Sequence, residues 1–333
     1  MNNQRINILC VIQSLSMPSS RIRILQMVPY LEKHGIFCHT AIIPKKVGSM
    51  LELLKKSREY DLIWLQKECP GLIQGALWRL AAPPIIYDVD DAVCFRELPE
   101  WGSYQSRSRQ KRFNRIMSIC DSVTCGNAYL AGLIKQPKPH LIYPSPVPLD
   151  GPVRRHFNPR GSRILVWVGL SSNFPSLETI LSDLKEVCAQ HPFTLRVISD
   201  KTLEKSPDFV ENIQWTQETQ ETLISECDIG IMPLSQTSPY DRGKCAYKLL
   251  QYMASGIVPV GTAAGMNIEV LADPENGRLV SGGWQPVVKE LLTVEPDVLR
   301  DMGRNARQAA VQKYSYDVQA RRLADFFKKR IDH

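Results

Sequence analysis

DIGIMPLSQTSPYDRGKCAYKLLQYMASGIVPVGTAAGMNIEVLADPENGRLV, residues 228–280, is the stretch whose reading decides the fold. Asp228–Met232 is a short apolar run stopped by Pro233, which reads as a buried strand. Lys244–Ala254 reads as a helix closed by Gly256, a residue that tolerates the left-handed conformation of a helix end. Val258–Gly261 is a second apolar strand, and small residues follow it before the next helical pattern. Strand, helix, strand in this order is the unit of a parallel sheet, whose strands need helical crossovers.

The same alternation extends in both directions. Upstream lie the expected strands Ile164–Val168 and Thr194–Ser199, with helices Ser176–Gln190 and Thr219–Glu226. Downstream lie helices Pro296–Val311 and Tyr316–Lys329, the latter with Val318, Leu323, Phe326 and Phe327 marking an apolar side. The N-terminal half repeats the texture. Strands are expected at Ile6–Ile12, Phe37–Ile43, Asp61–Gln66, Pro84–Asp88 and Ser122–Cys125, with helices at Ser20–His34, Leu51–Ser57, Leu72–Leu80 and Ser106–Cys120. Between the halves, residues 137–160 carry seven prolines, too many for a regular element. The expected architecture is α/β, with two Rossmann-like, doubly wound domains at residues 1–150 and 158–312. The helix in residues 313–333 is expected to pack back on the first domain.

Composition suits two globular domains: 333 residues, 44% hydrophobic and 23% charged. No apolar stretch reaches the roughly 18 residues of a membrane span, and Ile6–Ile12 is too short for a signal segment. A cytoplasmic protein is therefore expected, with the inner membrane face as a site of peripheral attachment. The nine cysteines form no CxxC pair, and the six histidines are dispersed, so no metal site is expected. The net charge of +7 lies wholly in residues 1–150, with 19 Lys and Arg against 12 Asp and Glu. Arg107, Arg109, Lys111, Arg112 and Arg115 are its densest part, beside Phe113, Ile116 and Met117. Residues 107–117 read either as a solvated helix face or as a docking surface for anionic lipid or an acidic acceptor. No nucleic-acid-binding module accompanies the cluster, so nucleic acid is not an expected partner.

Four loops at the carboxyl ends of strands, where ligands bind in open α/β sheets, carry candidate chemistry. Gly169, Ser171 and Ser172 follow one strand and could receive a phosphate ahead of a helix. Arg242, Lys244 and Lys248 surround the expected start of the helix to Ala254, where three cations are unfavourable unless an anion binds. Gly265, Met266 and Asn267 lie in a loop that allows close backbone approach to a ligand. In the first domain, Asp88, Asp90 and Asp91 crowd three carboxylates into four residues, facing a loop that brings Ser20, Arg21 and Arg23. A structural ion-pair network is the alternative reading of this last group.

Residues 228–280 resemble the donor-binding region of glycosyltransferase family 4, the group 1 transferases, through DIGIMPL, KLLQYMASG, the PV strand and the NG turn. PSSRIRILQMVPYLEKHG, YDLIWLQKE and IIYDVDDAV resemble one branch of that family in the N-terminal half. The resemblance implies a GT-B fold with its domains facing a cleft and a UDP- or GDP-linked sugar as co-substrate. It further implies transfer to a saccharide or lipid-linked acceptor with retention, without a cofactor or an obligatory metal, in surface polysaccharide or glycoconjugate synthesis. Within it, Gln251 stands where the family commonly has a ribose-binding glutamate, and Gly243 where it has a sugar-binding one. Asp88 falls near the position of a histidine common in the family, although Asp90 and Asp91 compete for that role. The missing glutamates keep two alternatives open: a non-catalytic nucleotide-sugar-binding protein, or another GT-B activity such as a sugar-nucleotide epimerase.

Overall fold

Ile6–Ile12 forms the first strand, β1; strands pair along both its edges, and its apolar side chains are buried. The computed structural model describes residues 5–331; residues 1–4 and 332–333, which fall within the expected ranges 1–150 and 313–333, lie outside the described residues. The chain divides into two units. The first comprises the residues through Pro146, the segment Ser238–Cys245 and the C-terminal helix from Tyr316; the second comprises Val147–Thr237 and Ala246–Ser315.

In the first unit β1 is followed by β2 (Ile36–Ile42), β3 (Leu62–Gln66), β4 (Ile85–Val89), β5 (Phe95–Glu100), β6 (Ser103–Gln105), β7 (Ser122–Cys125) and β8 (His140–Ile142). Six of them make one sheet in the order β2-β1-β3-β4-β7-β8, with every pairing parallel. β5 and β6 form a separate antiparallel hairpin. The three-residue strand β8 corrects the expectation that residues 137–160 hold no regular element. Pro139 and Pro144 flank it, and an edge strand needs only one neighbour, so prolines just outside it are tolerated. The expected helix Ser20–His34 is broken into Pro18–Arg23, a short 310 turn and Val28–Glu32, the last opening with Pro29 in its first turn. The helix Tyr316–Ile331 buries Tyr316, Ala320, Leu323 and Phe327 in the core that also holds Ile8, Trp64 and Tyr143.

The second unit holds β9 (Arg163–Val168), β10 (Phe193–Ser199), β11 (Val210–Gln214), β12 (Ile229–Met232), β13 (Val258–Thr262) and β14 (Arg278–Val280). Their order is β11-β10-β9-β12-β13-β14, again with every pairing parallel. That is the 3-2-1-4-5-6 order of a dinucleotide-binding sheet, whose direction of winding reverses between β9 and β12. The doubly wound α/β expectation therefore holds in both units.

The helix Arg107–Met117 corrects one expectation. Phe113, Ile116 and Met117 are 2%, 0% and 4% exposed, so the apolar stripe offered for membrane docking is spent on the core. Arg107, Arg109, Lys111 and Arg112 remain on its outer face. No helix among the described residues is long and apolar enough to cross a membrane.

Candidate active site

In the second unit, Gly169 directly follows β9, at the point where the winding reverses. A Cβ on Gly169 would lie 2.7 Å from Lys248 Cε and 2.9 Å from the Trp167 ring. The absence of a side chain at Gly169 leaves room for Lys248 to cross the loop, and its ammonium stands 5.3 Å from the Trp167 ring centroid. Lys248 lies in the first turn of the helix Tyr247–Ala254, where the positive end of the helix dipole favours an anion. Ser171 has a different job from the one expected. Its N–H and hydroxyl donate to Asp200 at 2.6 and 3.1 Å, and the donated N–H helps hold the Asp200 carboxyl below its ordinary range. Ser172 is exposed.

Gly265 adopts φ +51°, which its lack of a side chain permits. Met266 is 3% and Asn267 1% exposed. Asn267 donates from Nδ2 to the Thr262 carbonyl at 3.0 Å, so it braces the loop from inside. Gln251 donates from Nε2 to Gln220 Oε1 at 3.4 Å, the oxygen that also accepts from Trp215 Nε1 at 2.9 Å. A glutamate at position 251 could not make that donation, a physical reason for the amide found there.

Arg242 and Lys244 belong to the first unit. The expected helix start at Lys244 is corrected: the helix begins at Tyr247, because Lys244 is extended and Ala246 takes the left-handed φ of 51°. Asp241–Gly243 forms a single 310 turn instead. The Arg242 guanidinium lies 5.0 Å from the Tyr129 ring centroid, and Lys244 Nζ is 3.3 Å from Asp241 Oδ1. Asn127 donates from Nδ2 to the Gly243 and Lys244 carbonyls at 3.0 and 3.1 Å, and Cys245 Sγ to the Asp90 carbonyl at 3.0 Å.

Gly243 is packed against the chain after β4. A Cβ there would stand 2.6 Å from Ala92 Cβ and 2.7 Å from the Ala92 backbone nitrogen, neither of them the end of a flexible side chain. The family's glutamate is therefore sterically excluded from this position. Gly243→Ala is expected to lower unfolding stability by about 1–3 kcal/mol, the usual cost of overpacking, and Gly243→Glu by no less. Urea unfolding checks this, and wild-type stability in both variants would show that the segment Ser238–Cys245 yields freely.

The carboxylates after β4 separate into two groups. Asp88 is fully buried: it receives Arg23 Nε on Oδ2 at 2.8 Å, and Arg23 Nη2 and Thr124 Oγ1 on Oδ1 at 2.6 and 2.7 Å. Arg23 also donates to the Tyr143 carbonyl and Ser145 Oγ, and its own carbonyl accepts from Tyr143 Oη. Ser20 Oγ donates to Gln66 Oε1 at 2.6 Å, also in the interior. Ser20 and Arg23, three residues apart in the helix Pro18–Arg23, point the same way, into the fold. Neither they nor Asp88 reach solvent, so the acceptor-side and catalytic roles expected of them are replaced by an internal ion-pair network. Arg21 lies off that face and is partly exposed.

Asp90 and Asp91 are the second group, and both face Lys67, a residue the sequence does not mark as part of a site. Lys67 Nζ is 3.2 Å from Asp90 Oδ1 and contacts Asp91 Oδ2 more closely still. Burial works against the Lys67 ammonium, but the two carboxylates outweigh it and raise its pKa. Lys67 is the residue immediately after β3, so the rule that chemistry collects at strand carboxyl ends could have found it. Arg23 and Lys67 supply the positive charge beside Asp88, Asp90 and Asp91, and no group of three or more metal-ligating side chains occurs among the described residues.

Comparison with known proteins follows this geometry. Residues 162–293 match the family described as Glycosyl transferases group 1. No curated protein matches the chain in sequence. Among solved structures, Anabaena HepE in complex with UDP-glucose is similar at TM-score 0.72 and 13% identity, covering 97% of this chain and 100% of that one. Sucrose-phosphate synthase from Thermosynechococcus elongatus is similar at TM-score 0.72 and 14% identity, covering 98% and 99%. A TarM variant from S. aureus, in complex with fondaparinux, α-GlcNAc-glycerol and UDP, is similar at TM-score 0.66 and 13% identity, covering 84% of this chain and 58% of its own. The resemblance read from residues 228–280 is borne out: residues 162–293 match the group 1 glycosyl transferases, and the chain as a whole has the GT-B fold.

Proposed function

We propose that this protein transfers a sugar from a nucleoside-diphosphate sugar to an acceptor hydroxyl with retention of configuration, without a metal. The observation that carries the reading is Lys248 crossing Gly169 at the carboxyl end of β9, inside the segment that matches the group 1 transferases. The second unit holds the nucleoside diphosphate. Lys248 and the N–H groups opening its helix neutralise the diphosphate and stabilise it as the leaving group. Gln251 hydrogen-bonds the ribose as a neutral amide. UDP is favoured over GDP because HepE carries UDP-glucose on the same fold. Asp91 is the carboxyl that meets a hydroxyl of the acceptor. The acceptor is a saccharide or a lipid-linked saccharide, and the exposed cations of helix Arg107–Met117 suit an anionic one.

Titration calorimetry with UDP tests the diphosphate site. Lys248→Ala removes a charge-assisted bond of about 1.5–3 kcal/mol and is expected to weaken UDP more than tenfold with little change in unfolding. Equal affinity in variant and wild type would place the diphosphate elsewhere. Product NMR reports the anomeric outcome, and inversion would overturn the retaining mechanism.

A further inference from the structure

Trp101 breaks two rules of protein surfaces at once. With Gly102 it turns the hairpin of β5 and β6, and the two residues take positive φ, +53° and +72°. Two left-handed residues in a row make a tight hairpin turn that asparagine, aspartate and glycine favour. A bulky ring at the first of these positions is strained. The same ring is 97% exposed, more than any other large apolar side chain among the described residues. A side chain so exposed gains nothing from the fold that would offset either cost.

The neighbouring chain completes a surface. Leu98 is 59% exposed on β5, with Pro99 exposed beside it. Leu98 and Pro99 line one groove with Ser108 and Arg109, so the hairpin lies against the start of the helix Arg107–Met117. Arg107, Arg109, Lys111 and Arg112 are exposed on that helix, and no acidic residue occurs from Trp101 to Cys120. The acids nearby are Glu100, which pairs with Arg96 at 2.6 Å, Glu97 on β5, and Glu68, which stands close to Arg112. Positive charge therefore prevails beside the apolar tip.

We propose that the β5–β6 hairpin and the helix Arg107–Met117 form a docking surface for an anionic lipid bilayer, with Trp101 and Leu98 entering the interface and the helix cations meeting the headgroups. Tryptophan settles at the boundary of water and lipid because its ring is apolar and its N–H polar. A fluid bilayer can cover a projecting tip, whereas a folded partner or a sugar ring would need a matching concave surface around it. The negative charge of such a bilayer complements the four exposed cations. The apolar stripe of the helix takes no part, since it belongs to the core. This surface and the transferase reading stand independently of each other.

Co-sedimentation of the whole protein tests the surface with two kinds of vesicle, phosphatidylcholine alone and phosphatidylcholine mixed equally with phosphatidylglycerol. Binding is expected to the mixed vesicles only. It should fall as salt rises from about 0.1 to about 1 M, where the screening length shrinks from about 10 to about 3 Å. Trp101→Asn should weaken binding about tenfold, while unfolding stability stays level or rises because asparagine suits the turn. Arg107→Gln, Arg109→Gln and Arg112→Gln together should weaken it about 100-fold. Trp101 is the most exposed of the six tryptophans, so mixed vesicles should shift wild-type emission to the blue and leave that of Trp101→Asn in place. Wild-type binding that is absent, or equal on the two vesicles, would overturn the inference. So would binding unchanged in both variants, which would put the contact elsewhere. A Trp101→Asn protein that binds vesicles normally but has a raised KM for a saccharide acceptor would also overturn it and make the hairpin a sugar platform. Vesicle binding by a protein that transfers no sugar would uphold the surface and remove the transferase reading.

Discussion

Asp91→Asn is expected to lower kcat by about 10²–10⁴-fold, the usual span for a lost proton-transfer group, while leaving UDP affinity unchanged. Asparagine keeps the shape of the side chain and removes its ability to take a proton. Diphosphate binding is assigned to Lys248 and the loops of the second unit, so the donor's dissociation constant has no reason to move. The variant also removes one of two carboxylates competing for Lys67, so its folding should be preserved. Steady-state kinetics with calorimetry of UDP binding checks the split. A variant with wild-type kcat would end the catalytic reading of Asp91. A variant that loses UDP would show instead that the carboxyl organises the donor site. Asp88→Asn differs in kind, since its target has no accessible surface and its effect should appear as lost stability before lost turnover.

The central parallel strands were legible because they are short, continuous apolar runs, the signature of a strand covered on both faces, whereas the edge strands β11 and β14, with the mixed runs VENIQ and RLV, were not. Ile6–Ile12, ILVWV and DIGIM needed no tertiary information. The chemistry after β4 was legible as three crowded carboxylates, but their division was not. What removes Asp88 from solvent is Arg23, and arginine is ordinarily a surface residue, so nothing local announces its burial. The spacing of Ser20 and Arg23 does place them on one helical face, and that face happens to look inward. Lys67 escaped notice as a lone lysine in a charged stretch, although its place at the end of β3 was visible in DLIWLQKE.

Two errors share a cause. The helix opened by Arg242, Gly243 and Lys244 was expected from periodicity, which continues smoothly through residues 244–254; the left-handed Ala246 that interrupts it has no sequence signal, since alanine favours helix. Likewise Phe113, Ile116 and Met117 have the spacing of any amphipathic helix, and the pattern does not say whether a core or a lipid surface covers the apolar side. In both cases the local sequence was read correctly and its neighbour was not.

The Arg23–Asp88 pair should dominate the stability of the first unit. Both side chains are 0% exposed, and Tyr143, Ser145 and Thr124 satisfy their remaining bonds. The Arg23 guanidinium also lies 4.3 Å from the Tyr143 ring centroid. Arg23→Met leaves a buried carboxylate with only the Thr124 hydroxyl, a loss of about 3–5 kcal/mol. The effect should exceed that of breaking the exposed Lys33–Asp317 pair, whose partners are 62% and 68% exposed and are worth at most about 1 kcal/mol. Arg23→Met combined with Asp88→Leu should cost less than the sum of the single changes, because the pair's desolvation penalty disappears with its charges. Urea unfolding followed by circular dichroism measures all of these. A loss below about 1 kcal/mol for Arg23→Met would mean that water or a neighbouring cation reaches Asp88, and with that the carboxyl would return as a rival to Asp91.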